Sequence, residues 1–210
     1  MHYTIGNEVR AIIFAIEAKD RILYEHSVET AFFALAIADT VQAGADNVDI
    51  CKKDVFLAAL LHDVGKIYVP DNILRKNGCL TPHEQEIIRF HPTWGAQYLN
   101  KIENLRHITF HVEQHHELPD GSGYPENLKA CDISLPAKII NIADRFSAMT
   151  SDRPYRRAYT PDAAMNFIEK DINAFFGKHA LKIMACLLGA DRRGYHRNIG
   201  LFSSGDDLGF

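Results

Sequence analysis

The stretch Leu61-His62-Asp63-Val64-Gly65-Lys66 limits what this chain can become more than any other. It closes an apolar helical run, Phe56-Leu57-Ala58-Ala59-Leu60-Leu61, and places an imidazole and a carboxylate side by side at its end. Adjacent residues on a helix point about 100° apart, so His62 and Asp63 do not stack on each other. They can still grip one ion, or Asp63 can bridge two. Gly65 is a natural helix stop, and Lys66 follows where a cation could meet an anionic ligand. A lone His-Asp pair is weak evidence for metal chemistry. The weight comes from the rest of the chain, which repeatedly offers His and Asp at other helix ends.

At 210 residues, 47% of them hydrophobic, one domain with a sizeable core is expected. A net charge of −4 argues against general binding to a nucleic acid polymer, so an anionic small ligand would need a local basic patch. Cys51, Cys79, Cys131 and Cys186 form no C-x-x-C pair, and reduced thiols in a cytoplasmic protein are the simple reading. No signal peptide is legible, and no apolar run approaches the roughly 18 residues of a membrane span. Eleven histidines are the compositional oddity.

Residues 8–44 read as helix, with the charged patch 17–21 as a candidate break. His26 lies just before the second apolar face, either as a packing histidine or pointing into a shared interior. Lys52 to Leu61 is the helix that delivers His62 and Asp63. Thr81-Pro82-His83-Glu84 is a strong helix start, with an N-cap, a proline at the first position and a capping-box glutamate. That helix runs to Phe90, and His91-Pro92 breaks it before a further helix through Leu99.

Residues 103–117 read as one helix carrying His107, His111 and His115 at four-residue intervals, followed by His116. An i, i+4 histidine pair can chelate one metal, but His107 and His111 are expected to be ordinary surface or packing residues. Pro119 to Pro125 is a rigid Gly/Pro loop. Asp144 sits inside a very apolar helix from Leu135 to Met149. A lone buried carboxylate is costly unless paired or metal-bound, so Asp144 is a candidate ligand; a salt bridge to Arg145 or Arg153 is the plain alternative. The 152–157 segment concentrates positive charge, as a solvated loop or a seat for phosphates. A capped helix from Thr160 to about Ile172 and a last helix from Lys178 to Leu188 follow, then a Gly/Ser-rich tail. No strand pattern is convincing.

Collected together, His26, His62, Asp63, His91, His115, His116 and Asp144 are too many mixed ligands for one tetrahedral zinc. They suit two ions sharing Asp63, each approaching six-coordination. Such pairs, roughly 3.5–4 Å apart, are typical of phosphoester hydrolysis. No G-x-S-x-G elbow, catalytically partnered cysteine or P-loop competes with that reading.

The segments YEHSVETA (24–31), LLHDVGKIYVPDNIL (60–74), HPTWGAQYL within 81–99, HHELPDGSGYP (115–125) and IADRFSAMTSDRPYRRA (142–158) resemble the HD-GYP family. This is a subgroup of the HD-domain metal-dependent phosphohydrolases, and the resemblance covers about residues 8–190. It implies an all-α helical bundle of the HD-domain type with a metal site in the bundle core, spanning 1–190, and a C-terminal tail at 191–210. It implies hydrolysis of a cyclic dinucleotide, cyclic di-GMP first and 3′,3′-cyclic GMP-AMP second, using transition-metal ions, commonly iron or manganese.

Carried over by position, His26, His62, Asp63 and Asp144 would hold one metal, and Asp63, His91, His115 and His116 the second. Asp63 and Lys66 would be the catalytic pair, with Lys66 beside the scissile phosphate. Tyr124 would shape the substrate loop, and Arg153 and Arg156 would meet phosphates. Trinuclear members have a glutamate where this chain has Ile22, which implies two metals rather than three. Many members have arginine where this chain has Leu118, which bears on one polar contact and on substrate preference. A diguanylate cyclase (GGDEF) domain is a candidate partner and a homodimer a candidate assembly, with no membrane insertion. No sensory or receiver domain is legible in the 210 residues, so a stand-alone domain and an excised one both stay open. The rival readings are a weakly active sensor or docking module and an HD phosphohydrolase for mononucleotides.

Overall fold

The computed structural model describes residues 2–3, 6–44, 49–152, 156–189 and 208–209. Helices α1 (Asn7–Lys19) and α2 (Arg21–Gly44) are separated at Asp20. The Asp20 side chain accepts a hydrogen bond from Leu23 N (3.0 Å), so the charged patch opens the second helix rather than interrupting one. Then come α3 (Lys52–Leu61), a 3-10 segment (Val64–Tyr68) and the short α4 (Asp71–Leu74), which starts after Pro70. Helices α5 (Pro82–Arg89) and α6 (His91–Leu99) follow, α5 closed by the expected Thr81–Glu84 capping box. The chain continues through a 3-10 segment (Glu103–Ile108), α7 (Thr109–Glu113), α8 (Leu135–Thr150), α9 (Pro161–Phe176) and α10 (Ala180–Gly189).

Helix α2 is the axis of the bundle, packed against α1, α3, α8 and α10. Its inward face carries Ala31, Phe33, Ala34, Ile37 and Ala38, all at most 1% exposed, and the small residues let α3 and α8 approach closely. Phe33 meets Phe146 of α8 edge to face, with centroids 5.1 Å apart, an arrangement favoured by the ring quadrupoles. Helix α3 is buried along its whole second half, which carries His62 and Asp63 inward as its apolar composition requires.

Two departures from the sequence reading matter for the site. Residues 103–117 are not one helix: the 3-10 segment and α7 end at Glu113, and a turn carries His115 and His116. Tertiary partners override periodicity there. Gln114 Oε1 accepts from Ser134 N (3.0 Å) and His111 Nδ1 meets Ser134 Oγ (2.9 Å), pinning the segment to the start of α8. Second, His2–Tyr3 pairs antiparallel with Leu208–Gly209, a two-residue ladder where no strand was expected. The remainder of the 191–210 tail lies outside the described residues. Among the described residues, no helix is long and apolar enough to cross a membrane.

Gly65 is fixed by packing rather than by turn geometry alone. A Cβ there would collide with the carbonyl oxygen of His91 and lie 2.6 Å from Gly95 N. The 3-10 segment therefore passes directly against the first turn of α6, which holds the His62–Asp63 pair and His91 together. Gly65→Ala should destabilise the fold by about 1–3 kcal/mol. Circular-dichroism melting should show a fall of several degrees in Tm, each kcal/mol being about 2–4 °C at this chain length. An unshifted Tm would contradict the close approach.

Candidate metal centre

Five elements deliver the seven expected ligands to one place. His26 comes from α2, His62 and Asp63 from the end of α3, His91 from the first residue of α6, His115 and His116 from the turn after α7, and Asp144 from α8. All are buried except His116, which is partly exposed. They fall into two groups whose ligand atoms lie within 4.8 Å of one another: Asp63, His91, His115 and His116, and His26, His62 and Asp144. Asp63 stands between the groups, Oδ1 3.1 Å from His91 Nε2 and Oδ2 3.3 Å from His62 Nε2.

The hydrogen bonds behind the rings decide what faces inward. Nδ1 of His62 lies 2.7 Å from Ala59 O, that of His91 2.7 Å from Ile88 O, and that of His115 2.6 Å from Val112 O. A carbonyl oxygen only accepts, so each Nδ1 carries its proton and donates it three residues back. In a neutral ring this leaves Nε2 with a bare lone pair. His91 Nε2 and His115 Nε2 then face each other at 3.3 Å. His62 Nε2 faces two carboxylates, at 3.3 Å and 3.7 Å. Both His62 Nε2 and Asp63 Oδ1 are buried without a hydrogen-bond partner. Lone pairs directed at lone pairs and at carboxylate oxygens repel, and a cation between them removes the conflict. The donor set of imidazole nitrogens and carboxylates suits a transition metal.

His26 is tied down differently. Its Nε2 lies 2.8 Å from Asp144 Oδ1 and its Nδ1 3.0 Å from Ser147 Oγ. Ser147 gives its hydroxyl proton to Glu29 Oε2 (2.7 Å), and Ser151 Oγ donates to the same oxygen (2.5 Å). His26 Nδ1–H therefore donates to Ser147, and the buried Glu29 carboxylate orients the ring from behind. Sequence reasoning missed Glu29 and Ser147. Only the i, i+3 spacing of His26 and Glu29 on α2 hinted at a role. The alternative ion pair for Asp144 is not made with Arg145, which pairs with Asp171 instead (2.5 Å).

Burial is the largest influence on both carboxylates and opposes their charge. Histidines outweigh it: His62 with Lys66 and His91 around Asp63, and His26 with His62 and His116 around Asp144, hold both well below the usual carboxylate range. Burial pushes His91 down with help from Lys66, and burial with neighbouring rings pushes His115 down and His116 to about 3. Burial also favours neutral His62, but Asp63 and Asp144 together reverse this and raise it. Lys66, 21% exposed, reaches inward to Asp63 Oδ2 at 2.6 Å.

Tyr124 stacks on His116 (centroids 4.8 Å apart, planes 27°), and Arg89 lies 4.7 Å from the Tyr124 ring. These residues, with Asn141 and Arg145, line a cleft of about 240 Å³. The loop bearing Tyr124 is tied beneath by Glu117, whose carboxylate accepts from Glu126 N (2.7 Å) and Leu128 N (2.9 Å). Asn141 Nδ2 donates to His115 O and Glu117 O, coupling the loop to α8. At Gly123 a Cβ would sit 2.6 Å from His116 O, so only glycine lets the loop fold back on the histidine pair. Arg89, Glu117 and Asn141 were not legible as site residues. Arg89 reads as an ordinary last-turn base of α5, and Asn141 as a polar residue in an apolar helix.

Arg156 departs from its expected place at a phosphate. Its guanidinium donates to Ala148 O, Met149 O and Arg157 O, capping the carboxyl end of α8, and lies over Tyr159. Arg153 lies outside the described residues. Exposed His107 meets half-buried Asp54, and His111 is pushed down to about 4 by burial beside Ser134, so neither joins the cluster.

The HD domain family profile matches residues 14–177. The chain is 34% identical over 158 residues to "3'3'-cGAMP-specific phosphodiesterase 1" of Vibrio cholerae, covering 75% of this chain and 36% of that protein. It is 37% identical over 156 residues to "Cyclic di-GMP phosphodiesterase" of Thermotoga maritima, covering 73% and 41%. The chain thus spans about two fifths of the length of these relatives. The solved HD domain of the Listeria monocytogenes phosphodiesterase PgpH, in complex with cyclic di-AMP, superposes with a TM-score of 0.63 at 20% identity, covering 89% and 97%. At that identity the likeness shows the shared fold.

Metal binding to the cluster should be acid-sensitive, with a sign set by these shifts. His91, His115 and His116 are already neutral near pH 7 and offer lone pairs without losing a proton. His62, raised, must release one. The Tm gain from added Mn²⁺ should therefore shrink as the pH is lowered from about 8 to about 6, because His62 gives up its proton less readily in acid. Calorimetric titration in two buffers of different ionisation enthalpy should detect the released proton. A Tm gain flat across that range would contradict this.

Proposed function

The chain belongs to the HD domain family, and from that premise we propose that it hydrolyses a phosphodiester bond of a cyclic dinucleotide, cyclic di-GMP or 3′,3′-cyclic GMP-AMP, at two transition-metal ions. The observation that carries the reading is the position of Asp63, wedged between two groups of imidazoles, with Oδ1 3.1 Å from His91 Nε2, Oδ2 3.3 Å from His62 Nε2, and Oδ1 buried without a hydrogen-bond partner. His26, His62 and Asp144 would hold one ion with Asp63, and His91, His115 and His116 the other. Iron or manganese fits the mixed nitrogen and oxygen donors. When bound, such a pair supplies Lewis-acid polarisation of the phosphoryl group and activation of water.

The protein's own residues position and bind. Asp63 aligns the two halves of the centre. Lys66 Nζ, 2.6 Å from Asp63 in this structure, is placed to turn to the phosphoryl oxygens and balance the charge that grows there in the transition state. Tyr124 and Arg89 form a wall beside His116, where a flat, anionic ligand can stack and pair. Arg153 is proposed to meet the second phosphate, while Arg156 holds the end of α8. Similarity to the Vibrio and Thermotoga phosphodiesterases supports the substrate class.

Purified protein supplied anaerobically with Mn²⁺ or Fe²⁺ should convert the cyclic dinucleotide first to the linear form, seen by chromatography. Turnover of mononucleotides alone would move the assignment to the mononucleotide phosphohydrolases. Elemental analysis should find two transition-metal atoms per chain. Asp63→Ala should lose both metals and all turnover, whereas Asp144→Ala should chiefly empty one position. Lys66→Ala should lower kcat by about 10²–10³ with a smaller change in KM. Equal losses in binding and kcat would make Lys66 a ground-state contact only.

A further inference from the structure

A second, larger cleft of about 480 Å³ opens on the Lys66 side of the centre, away from His116 and Tyr124. Its walls are aliphatic: Ile22 from α2, Ile73 and Leu74 from α4, and Leu80 and Ile88 flanking the start and end of α5. Lys66 lines its inner end, and the same ammonium bonds Asp63 at the metal centre. We propose that this cleft is a nucleobase subsite, receiving the base of the nucleotide whose phosphate lies at Lys66. The inference rests on the cyclic dinucleotide reading above and adds to it a place for one of the two bases.

Charge distribution selects that occupant over a second phosphate. The cations at the rim are already paired: Lys76 Nζ lies 2.6 Å from Glu84 Oε2, while Arg75 Nε lies 3.5 Å from Asp20 Oδ2 and its guanidinium donates to Lys19 O. A phosphate there would have to break these pairs. A flat ring with a low charge would not, and it gains contact with aliphatic side chains on both faces. The lining combines the Lys66 cation, apolar side chains and polar groups that include Asn77. That combination offers partners for the phosphate, the base and the hydrogen-bonding base edge of a nucleotide. The volume falls in the range of pockets that enclose small ligands. Ile22, 43% exposed, is a large apolar side chain left facing solvent in this concavity, which a bound base would cover.

The test uses two substrates. Cyclic di-GMP carries bases, and bis(p-nitrophenyl) phosphate carries none. Ile22→Trp and, from the wall at the start of α5, Leu80→Trp fill the cleft. In the metal-loaded protein, each should lower the ratio of kcat/KM for cyclic di-GMP to that for the small diester by about tenfold or more, through KM. Ile22→Val, which keeps the apolar wall, should restore the ratio. Melting curves establish that each variant is folded, and Ile22 is exposed enough to accept substitution. A ratio within about twofold of wild type in both folded tryptophan variants overturns the subsite and leaves the proposed activity standing. Wild-type protein that cleaves the small diester but no cyclic dinucleotide overturns the activity reading, and the subsite with it.

Discussion

The repulsion among inward-facing imidazole lone pairs and two buried carboxylates is the constraint on which the rest of the structure depends. His91 Nε2 and His115 Nε2 face each other at 3.3 Å, and His62 Nε2 faces Asp63 and Asp144. Four of the five rings in the cluster are tied from behind. Three rings donate to the carbonyl three residues earlier, and His26 is held through Ser147 by Glu29. The backbone fixes the tautomer, and the tautomer fixes which atom points inward. The site is built by local chain geometry at helix ends as much as by long-range packing.

That dependence explains where the glycines fall. The Val64–Tyr68 segment must lie against the first turn of α6 so that Asp63 and His91 share one centre, and Gly65 removes the Cβ that would keep them apart. The loop after His116 must fold back so that Tyr124 covers the partly exposed ring, and Gly123 removes the next obstruction. Glu117 and Asn141 then satisfy the loop's buried backbone groups, as an interior turn requires. The two glycines do the same job on either side of the centre, each trading a side chain for a close approach of backbone.

Around the centre the protein divides its polar and apolar surface. A small cleft beside His116 carries Tyr124, Arg89 and Arg145, although Arg145 is neutralised by Asp171. A larger one beside Lys66 is aliphatic with a paired rim. The arginine run at 152–157 reads in sequence as a single anion-binding patch, yet Arg156 is engaged with carbonyls at the end of α8. Positive charge close in sequence is therefore not the same as positive charge available to a ligand, because a helix terminus with unsatisfied carbonyls competes for the same donors.

By itself the sequence determined most of the helical elements, a candidate break within the charged 17–21 patch, the capping box at Thr81 and the seven residues that gather in the cluster, because caps, prolines and apolar periodicity act over a few residues. A carboxylate in an apolar helix, as at Asp144, is costly enough to announce itself. Tertiary structure alone decided the rest. The 103–117 segment became a 3-10 turn, a short helix and a bend because Gln114 and His111 found partners on Ser134, twenty residues or more away. Glu29, Ser147, Glu117, Asn141 and Arg89 acquired their roles from neighbours 9 to 122 residues distant, none of them in their own helix. Their side chains are ordinary in local pattern, and only the folded arrangement gives each a specific atom to meet.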